Sequence, residues 1–272
     1  VIGSKEFVAW LPTFIEAKSV LYPDVAYPTY LVGALLAQAA PTPVSLDAAS
    51  WPQADMAWVN SPSNPTGRVH TESELRAAID GSRKSKSVVV SDECYLEFGD
   101  SVKPTSILHY TGGDNTNILT VLSLSKRSSM AGYRAAFIVG DPVLIARILE
   151  VRKHAGMMVP LPVQHAMIAA LSDEKHVTEQ RARYNARRAT LTPALTAAGF
   201  RIEHSEAGLY IWATRNENCW DSISWLAERG VIATPGIFYG EGGASHIRIA
   251  MTATDAQIAE AADRINSKVG AP

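Results

Sequence analysis

The sequence predicts an α/β protein, with a mainly parallel sheet in a large domain over residues 1–160 and a smaller α+β domain over residues 161–272. Three observations lead there. Short apolar runs ending in turn residues alternate with stretches of helical spacing through the first half. Polar residues able to do chemistry recur just beyond those runs. After residue 198 the pattern changes to short strands interleaved with two helices.

The elements follow in order. Glu6 to Leu11 has helical spacing, and Ser19-Val20-Leu21-Tyr22-Pro23 reads as a buried strand stopped by proline. Tyr27 to Ala39 is helical, with Tyr30, Val32, Leu35 and Leu36 at helical spacing, and Asp55 to Asn60 is a strand feeding a turn. Thr71 to Ser82 is a helix, because Thr71 followed three residues later by Glu74 forms a capping box. Val88 to Asp92 is a continuous apolar strand ending on a carboxylate, and Asn117 to Leu122 and Ala135 to Val139 are further strands. Pro142 to Leu171 is helical but interrupted near Pro160 and Pro162, which mark the passage between domains. A long helix covers His176 to Ala198. Strands at Arg201 to Glu203, Leu209 to Trp212, Val231 to Ala233 and His246 to Ala250 then alternate with helices at Trp220 to Arg229 and Thr254 to Lys268.

Bulk properties narrow the function. A formal net charge of −2 gives no electrostatic footprint for nucleic acid or an anionic membrane, and no apolar run approaches the length of a spanning helix. Two cysteines, Cys94 and Cys219, are too few for a disulfide framework; they fit a reducing, cytoplasmic setting, and neither has a metal-ligand partner at a recognisable spacing. No G-x-G-x-x-G follows a strand, which argues against a Rossmann nucleotide site. Gly3-Ser4-Lys5-Glu6 reads like the inside of a fold, so a segment is expected to precede it.

Open α/β sheets bind ligands beyond the carboxyl ends of their strands. The polar residues falling there are Asn64, then Asp92 and Tyr95, then Ser123, Ser125 and Lys126, with Arg134 eight residues on. A lysine in such a crevice is desolvated, which lowers its proton affinity and suits it to forming an imine with an aldehyde; on an open surface it would be only a solvated charge. Arg134 and the serines suit a phosphate, although an arginine there also serves in surface salt bridges. Asp92 can pair with a pyridine nitrogen or simply cap the next helix. Tyr95 can donate to a phenolate oxygen or sit in the core with its hydroxyl satisfied.

Asn64-Pro65-Thr66-Gly67, then Asp92-x-x-Tyr95, then Ser123-x-Ser125-Lys126 with Arg134, then Ile247-Arg248-Ile249 together resemble the signature of the class I and II aminotransferases of PLP-dependent transferase fold type I. The order and separations match across nearly the whole chain. The resemblance implies pyridoxal 5'-phosphate (PLP) as cofactor and Lys126 as the lysine that condenses with it and moves the substrate α-proton. Asn64 and Tyr95 match donors to the ring O3′, and Asp92 matches the partner of the ring nitrogen. Gly3, Ser4 and Lys5 match the phosphate loop at a helix N-terminus, with Ser123, Ser125 and Arg134 as further phosphate contacts. Tyr27 matches the aromatic stacked on the ring, and Arg248 the clamp on the substrate α-carboxylate. Amino acid and 2-oxo acid substrates and a homodimer are implied in the same way.

Four segments, residues 91–97, 123–134, 151–160 and 205–212, look like those of actinobacterial N-succinyldiaminopimelate aminotransferases. That likeness implies L-glutamate as donor and N-succinyl-2-amino-6-oxopimelate as acceptor, in diaminopimelate and lysine biosynthesis. Both are acidic, so further cations are expected in the pocket; Arg127 and Lys153 are candidates, although each reads equally well as a solvated surface charge. A fold type I lyase or cyclopropane-forming synthase shares all four motifs. A non-catalytic, aminotransferase-like regulatory module is the reading of a different class, and the intact Lys126, Asp92 and Arg248 weigh against it.

Overall fold

The computed structural model describes residues 1–267. Ser19–Pro23 (β1), Ala40–Val44 (β2), Met56–Asn60 (β3), Val88–Asp92 (β4), Ile118–Ser123 (β5) and Ala136–Gly140 (β6) form one sheet in the order β2-β1-β3-β4-β5-β6. All neighbours are parallel except β6, which runs antiparallel to β5 along one edge. The register sets Asn60 opposite Asp92, so the carboxyl ends of the two central strands finish level.

Both faces of the sheet are covered, which is why its central strands β3 and β4 are buried at every position and apolar until their carboxyl ends. Successive residues of β3 point to opposite sides. Met56 and Trp58 pack with Ser4–Phe14 (α1) and Thr29–Leu36 (α2), while Ala57 and Val59 pack with Glu72–Ser85 (α3). The capping box expected at Thr71 is formed, with reciprocal bonds between Thr71 and Glu74. Helices α1 and α2 approach closely at Gly33, where a Cβ would lie 2.8 Å from the carbonyl oxygen of Val8.

The chain continues through Leu124–Arg127 (α4), Pro142–His154 (α5), Leu161–Leu171 (α6) and Lys175–Ala197 (α7). The break between α5 and α6 falls before Pro160, which precedes the first turn of α6. Arg201–Ile202 (β7), Tyr210–Thr214 (β8), Thr234–Pro235 (β9) and His246–Ala250 (β10) form a second, antiparallel sheet in the order β7-β8-β10-β9. Cys219–Ala227 (α8) and Asp255–Asn266 (α9) complete it. This sheet shares one apolar core with α7, α9 and the two aromatics Tyr95 and Phe98, which lie just beyond β4.

The structure corrects several sequence expectations. Val231 to Ala233 is not a strand: Gly230 turns left-handed to end α8, and the Val231 amide caps that helix on the Leu226 carbonyl. Ile232 is 94% exposed, and only Thr234 and Pro235 reach the sheet. The strand β2, which carries Pro41 and Pro43, was not among the expected elements. It lies at the sheet edge, where prolines are tolerated. The helix expected from Tyr27 to Ala39 is confined to Thr29–Leu36. The last helix ends at Asn266, and Lys268, included in its expected span, lies outside the described residues.

Helix α1 is fixed to the sheet's flank by Arg152 of α5, whose Nη1 and Nη2 donate to the Glu6 carboxylate at 2.7 and 2.8 Å. The two side chains are 5% and 20% exposed. Removing one partner of a buried pair leaves the other uncompensated. Arg152→Ala is therefore expected to destabilise the protein by about 3 kcal/mol in urea unfolding. A loss below about 1 kcal/mol would show that the pair contributes little beyond a surface bridge.

Candidate active site

A cavity of about 540 Å³ opens over the carboxyl ends of the central strands. Ser4, Lys5, Tyr27, Asn64, Asp92, Tyr95, Ser123, Ser125, Lys126, Arg134 and Arg248 all line it. Residues distant in sequence meet there because the parallel strands end level and because β10 presents Arg248 from the second sheet. Gly3 stands just behind the lining. Its φ is +76°, a backbone conformation that favours glycine, and a Cβ on it would push the Arg134 guanidinium aside.

Asp92 forms the buried end of the cavity. Tyr30 Oη donates to its Oδ2 at 2.9 Å, and the Cys94 amide donates to Oδ1 at 3.1 Å. Burial raises its proton affinity, and the bonds from Cys94 and Tyr30 oppose that rise. Among the described residues Asp92 makes no ion pair. Asn60 organises the adjoining turn. Its Nδ2 donates to the carbonyls of Asp92 (2.9 Å) and Pro62 (3.2 Å), and its Oδ1 accepts from the Asn64 amide (2.8 Å). The side chain of Asn64 then accepts from Arg248 Nη1 at 2.7 Å.

Arg248 lies between two rings, with its guanidinium carbon 5.1 Å from the centroids of both Tyr210 and Tyr239. Its buried Nε has no partner among the described residues. Tyr95 packs edge-on to Tyr210 at 5.3 Å, and burial holds its hydroxyl protonated well above the ordinary range. Tyr27 sits at the cavity wall with Lys5 Nζ 5.8 Å from its ring centroid. Lys126 lies in the short helix α4, which Ser123 caps by accepting from the Ser125 amide. Burial lowers the proton affinity of Lys126; the cations Arg248 and Lys5 lower it further, while Cys94 acts the other way.

The donor set fits PLP. Four cations, Lys5, Lys126, Arg134 and Arg248, face one carboxylate, Asp92, which suits a ligand carrying several negative charges and one buried positive one. The Asp92 carboxylate supplies the acceptor that a protonated ring nitrogen requires, in a place where water is excluded.

Two expected residues are elsewhere. Arg127 is buried outside the cavity, pairing with Glu174 and Glu97 and donating to the Ala170 carbonyl at 2.9 Å. Lys153 is an exposed residue of α5 that pairs with Glu150. Their partners are glutamates outside the cavity, which spacing around the motif does not reveal. The sequence reading also missed Tyr30, Asn60, Cys94, Tyr210 and Tyr239. A signal existed for Tyr30, since Tyr27-x-x-Tyr30 places two tyrosines on one helical turn.

The sequence profile described as "Aminotransferase class I and II" matches residues 2–265. A probable aminotransferase of Mycobacterium tuberculosis is 53% identical over 97% of this chain, which spans 65% of that relative's length. The 4-dedimethylamino-4-oxo-anhydrotetracycline transaminase OxyQ of Streptomyces rimosus is 50% identical over 97% of this chain and 75% of its own. Among solved structures, a probable N-succinyldiaminopimelate aminotransferase from Thermus thermophilus superposes with a TM-score of 0.87 at 27% identity, covering 98% of this chain and 76% of that one. Among the described residues no group of three or more His, Cys, Asp or Glu can hold a metal ion, and no helix is long and apolar enough to cross a membrane.

Glu93, beside Asp92, points away from the cavity and is 2% exposed. Its Oε1 accepts from the Ile107 amide at 2.9 Å, its Oε2 has no partner among the described residues, and burial raises its pKa to about 7. The folded protein thus holds a proton that the unfolded chain releases near the ordinary value. The resulting stability is full below about pH 4.5 and lost as pH rises through about 7. Glu93→Gln is expected to exceed the parent in stability by about 2 kcal/mol near pH 8, and by much less near pH 5. Urea midpoints at both pH values check this; an equal difference at both would show that Glu93 does not titrate in that window.

Proposed function

The chain belongs to the class I and II aminotransferases of PLP fold type I, and we propose that it transfers an amino group from an amino acid to an oxo acceptor. The observation that carries this reading is the convergence of Lys126, Asp92 and Arg248 on one cavity from three separate elements. When bound, PLP supplies an aldehyde that condenses with amines and a ring that accepts electron density from the substrate α-carbon.

The chain's own residues supply the rest. Ser4 and Lys5 at the start of α1, with Ser123, Ser125 and Arg134, would hold the phosphate, where helix amides and charge-assisted bonds favour a dianion. Tyr27 would cover the ring, Asn64 and Tyr95 would donate to its O3′, and Asp92 would accept from its nitrogen, all of them lining the cavity. Arg248 orients the substrate by its α-carboxylate. Asn64 and the two flanking tyrosines fix the guanidinium beforehand, so little freedom is lost on binding. Lys126 Nζ takes the proton from the substrate α-carbon. That step needs the neutral amine, which burial and the nearby cations favour.

For substrates, we propose L-glutamate as donor and N-succinyl-2-amino-6-oxopimelate as acceptor. The sequence segments and the name of the Thermus neighbour support this pair. A second reading, a polycyclic ketone as acceptor, is favoured by the 50% identity to the streptomycete transaminase. It is favoured also by the placement of Arg127 and Lys153, which leaves neither to meet a second acidic group. Two copies are proposed to pair through α5 and α6, where Val143, Leu161 and Ile168 are 75%, 63% and 63% exposed.

Mixing the PLP-loaded protein with L-glutamate is expected to release one equivalent of 2-oxoglutarate per site, and a lyase or regulatory module would release none. Lys126→Ala is expected to lower turnover roughly a thousandfold or more. Full activity in that variant would overturn the assignment. Arg248→Leu is expected to lower kcat/KM for glutamate about a hundredfold. Comparing kcat/KM for the succinylated oxopimelate with that for a tetracyclic ketone decides between the acceptors.

A further inference from the structure

Asp92 is served by a residue that neither the motif pattern nor the cavity lining singles out. Tyr30 is fully buried in α2, and its ring stacks on Trp58 of β3 with centroids 4.8 Å apart and planes 21° apart. That stack leaves its hydroxyl one polar contact among the described residues, the 2.9 Å bond to Asp92 Oδ2. The Tyr30 amide donates to the Tyr27 carbonyl at 3.1 Å, and the two rings meet edge to face at 5.7 Å. One turn of chain therefore carries both the aromatic at the cavity wall and the hydroxyl behind the carboxylate.

We propose that Tyr30 is a positioning residue that keeps the proton shared between Asp92 and the cofactor's ring nitrogen on the nitrogen. This deepens the reading of Asp92 given above and rests on it. In a buried pair, one proton can sit on the base, giving two charges, or on the acid, giving none. Burial favours the neutral arrangement, with the proton on Asp92, and a ring without its proton is a weaker electron sink. A hydrogen bond donated to the carboxylate stabilises its anion and reverses that preference. Two such donors serve Asp92: the backbone amide of Cys94 on Oδ1, which any residue but proline retains, and Tyr30 on Oδ2, a bond that Tyr30→Phe deletes. The titratable groups facing Tyr30 are Asp92, Cys94 and Tyr27, and burial holds the Cys94 and Tyr30 protons in place, so Asp92 carries the exchangeable charge.

The experiment is nitrogen NMR of the holoenzyme loaded with PLP labelled with ¹⁵N in the ring. Tyr30→Phe keeps the ring stacked on Trp58 and deletes only the hydroxyl. Near neutral pH its ¹⁵N resonance is expected to move from the pyridinium position toward that of unprotonated pyridine. The ratio of the two forms should fall about tenfold, with kcat falling in step with the protonated fraction and KM for glutamate changing little. In an Asp92→Asn background the same substitution should have no further effect on kcat, because Tyr30 acts through the carboxylate. A pyridinium resonance unchanged in Tyr30→Phe overturns the proposal, as does an equal loss of kcat in both backgrounds. If the parent protein itself shows an unprotonated ring nitrogen, the pairing with Asp92 fails first and the role of Tyr30 falls with it.

Discussion

The structure depends on one buried carboxylate. Asp92 ends the central strand β4 with its backbone locked into the sheet and only 6% of the residue exposed, at the buried end of the cavity. A carboxylate in that position is costly unless every lone pair finds a donor. The neighbouring elements answer that demand. Asn60 on the adjacent strand ties down the Asp92 carbonyl, Cys94 closes the turn that follows, and Tyr30 reaches in from α2. What is left over faces the cavity, and a cationic ring nitrogen is the partner it lacks.

Parallel register turns this local requirement into a site. Because β3 and β4 finish level, Asn60 and Asp92 stand side by side, and the turns beyond them carry Asn64 and Tyr95 into the same space. The second sheet is fastened there as well. The Tyr210 hydroxyl donates to the Ser63 carbonyl at 3.0 Å, and the Ser205 amide donates to the Thr66 carbonyl at 2.9 Å. Arg248 thus arrives over the cavity on a strand whose neighbours already bind the Asn64 turn. The aromatic pair Tyr95 and Phe98 makes the two sheets share one apolar core, so a cut at residue 160 separates sequence patterns more cleanly than it separates packing.

The legible part of this was whatever is encoded in strand ends. Apolar runs such as Val88 to Val90 mark central strands of a covered sheet, and the polar residue that stops each run must lie at its carboxyl edge. Lys126, Asp92 and Asn64 were found that way. The illegible part lay in side chains that act sideways. Arg127 sits beside Lys126 in sequence yet turns away to meet Glu97 and Glu174, and nothing in its spacing announces those partners. Tyr30 reads as an apolar helix position, and its hydroxyl acquires meaning only once α2 is laid across Trp58. The run Val231 to Ala233 shows the opposite failure, since good strand residues were used to stop a helix at Gly230.

The same cluster of charges sets two demands on Lys126 that oppose each other. Without an anion in the cavity, Lys5 and Arg248 push its amine toward the neutral form, as burial does. A bound phosphate dianion offsets part of that push, because its charge favours a protonated neighbour. The lysine must nevertheless remain neutral to take a proton from carbon, so a share of the effect has to come from sources the phosphate does not cancel. Desolvation is one, and it grows as the cavity fills. Arg248 is the other, being held by Asn64 and the two tyrosines at the substrate side of the cavity rather than at the phosphate loop. The residue that clamps the substrate carboxylate is therefore also one that readies the base, until the carboxylate arrives and neutralises it. From then on burial is the chief influence that keeps the lysine amine a base.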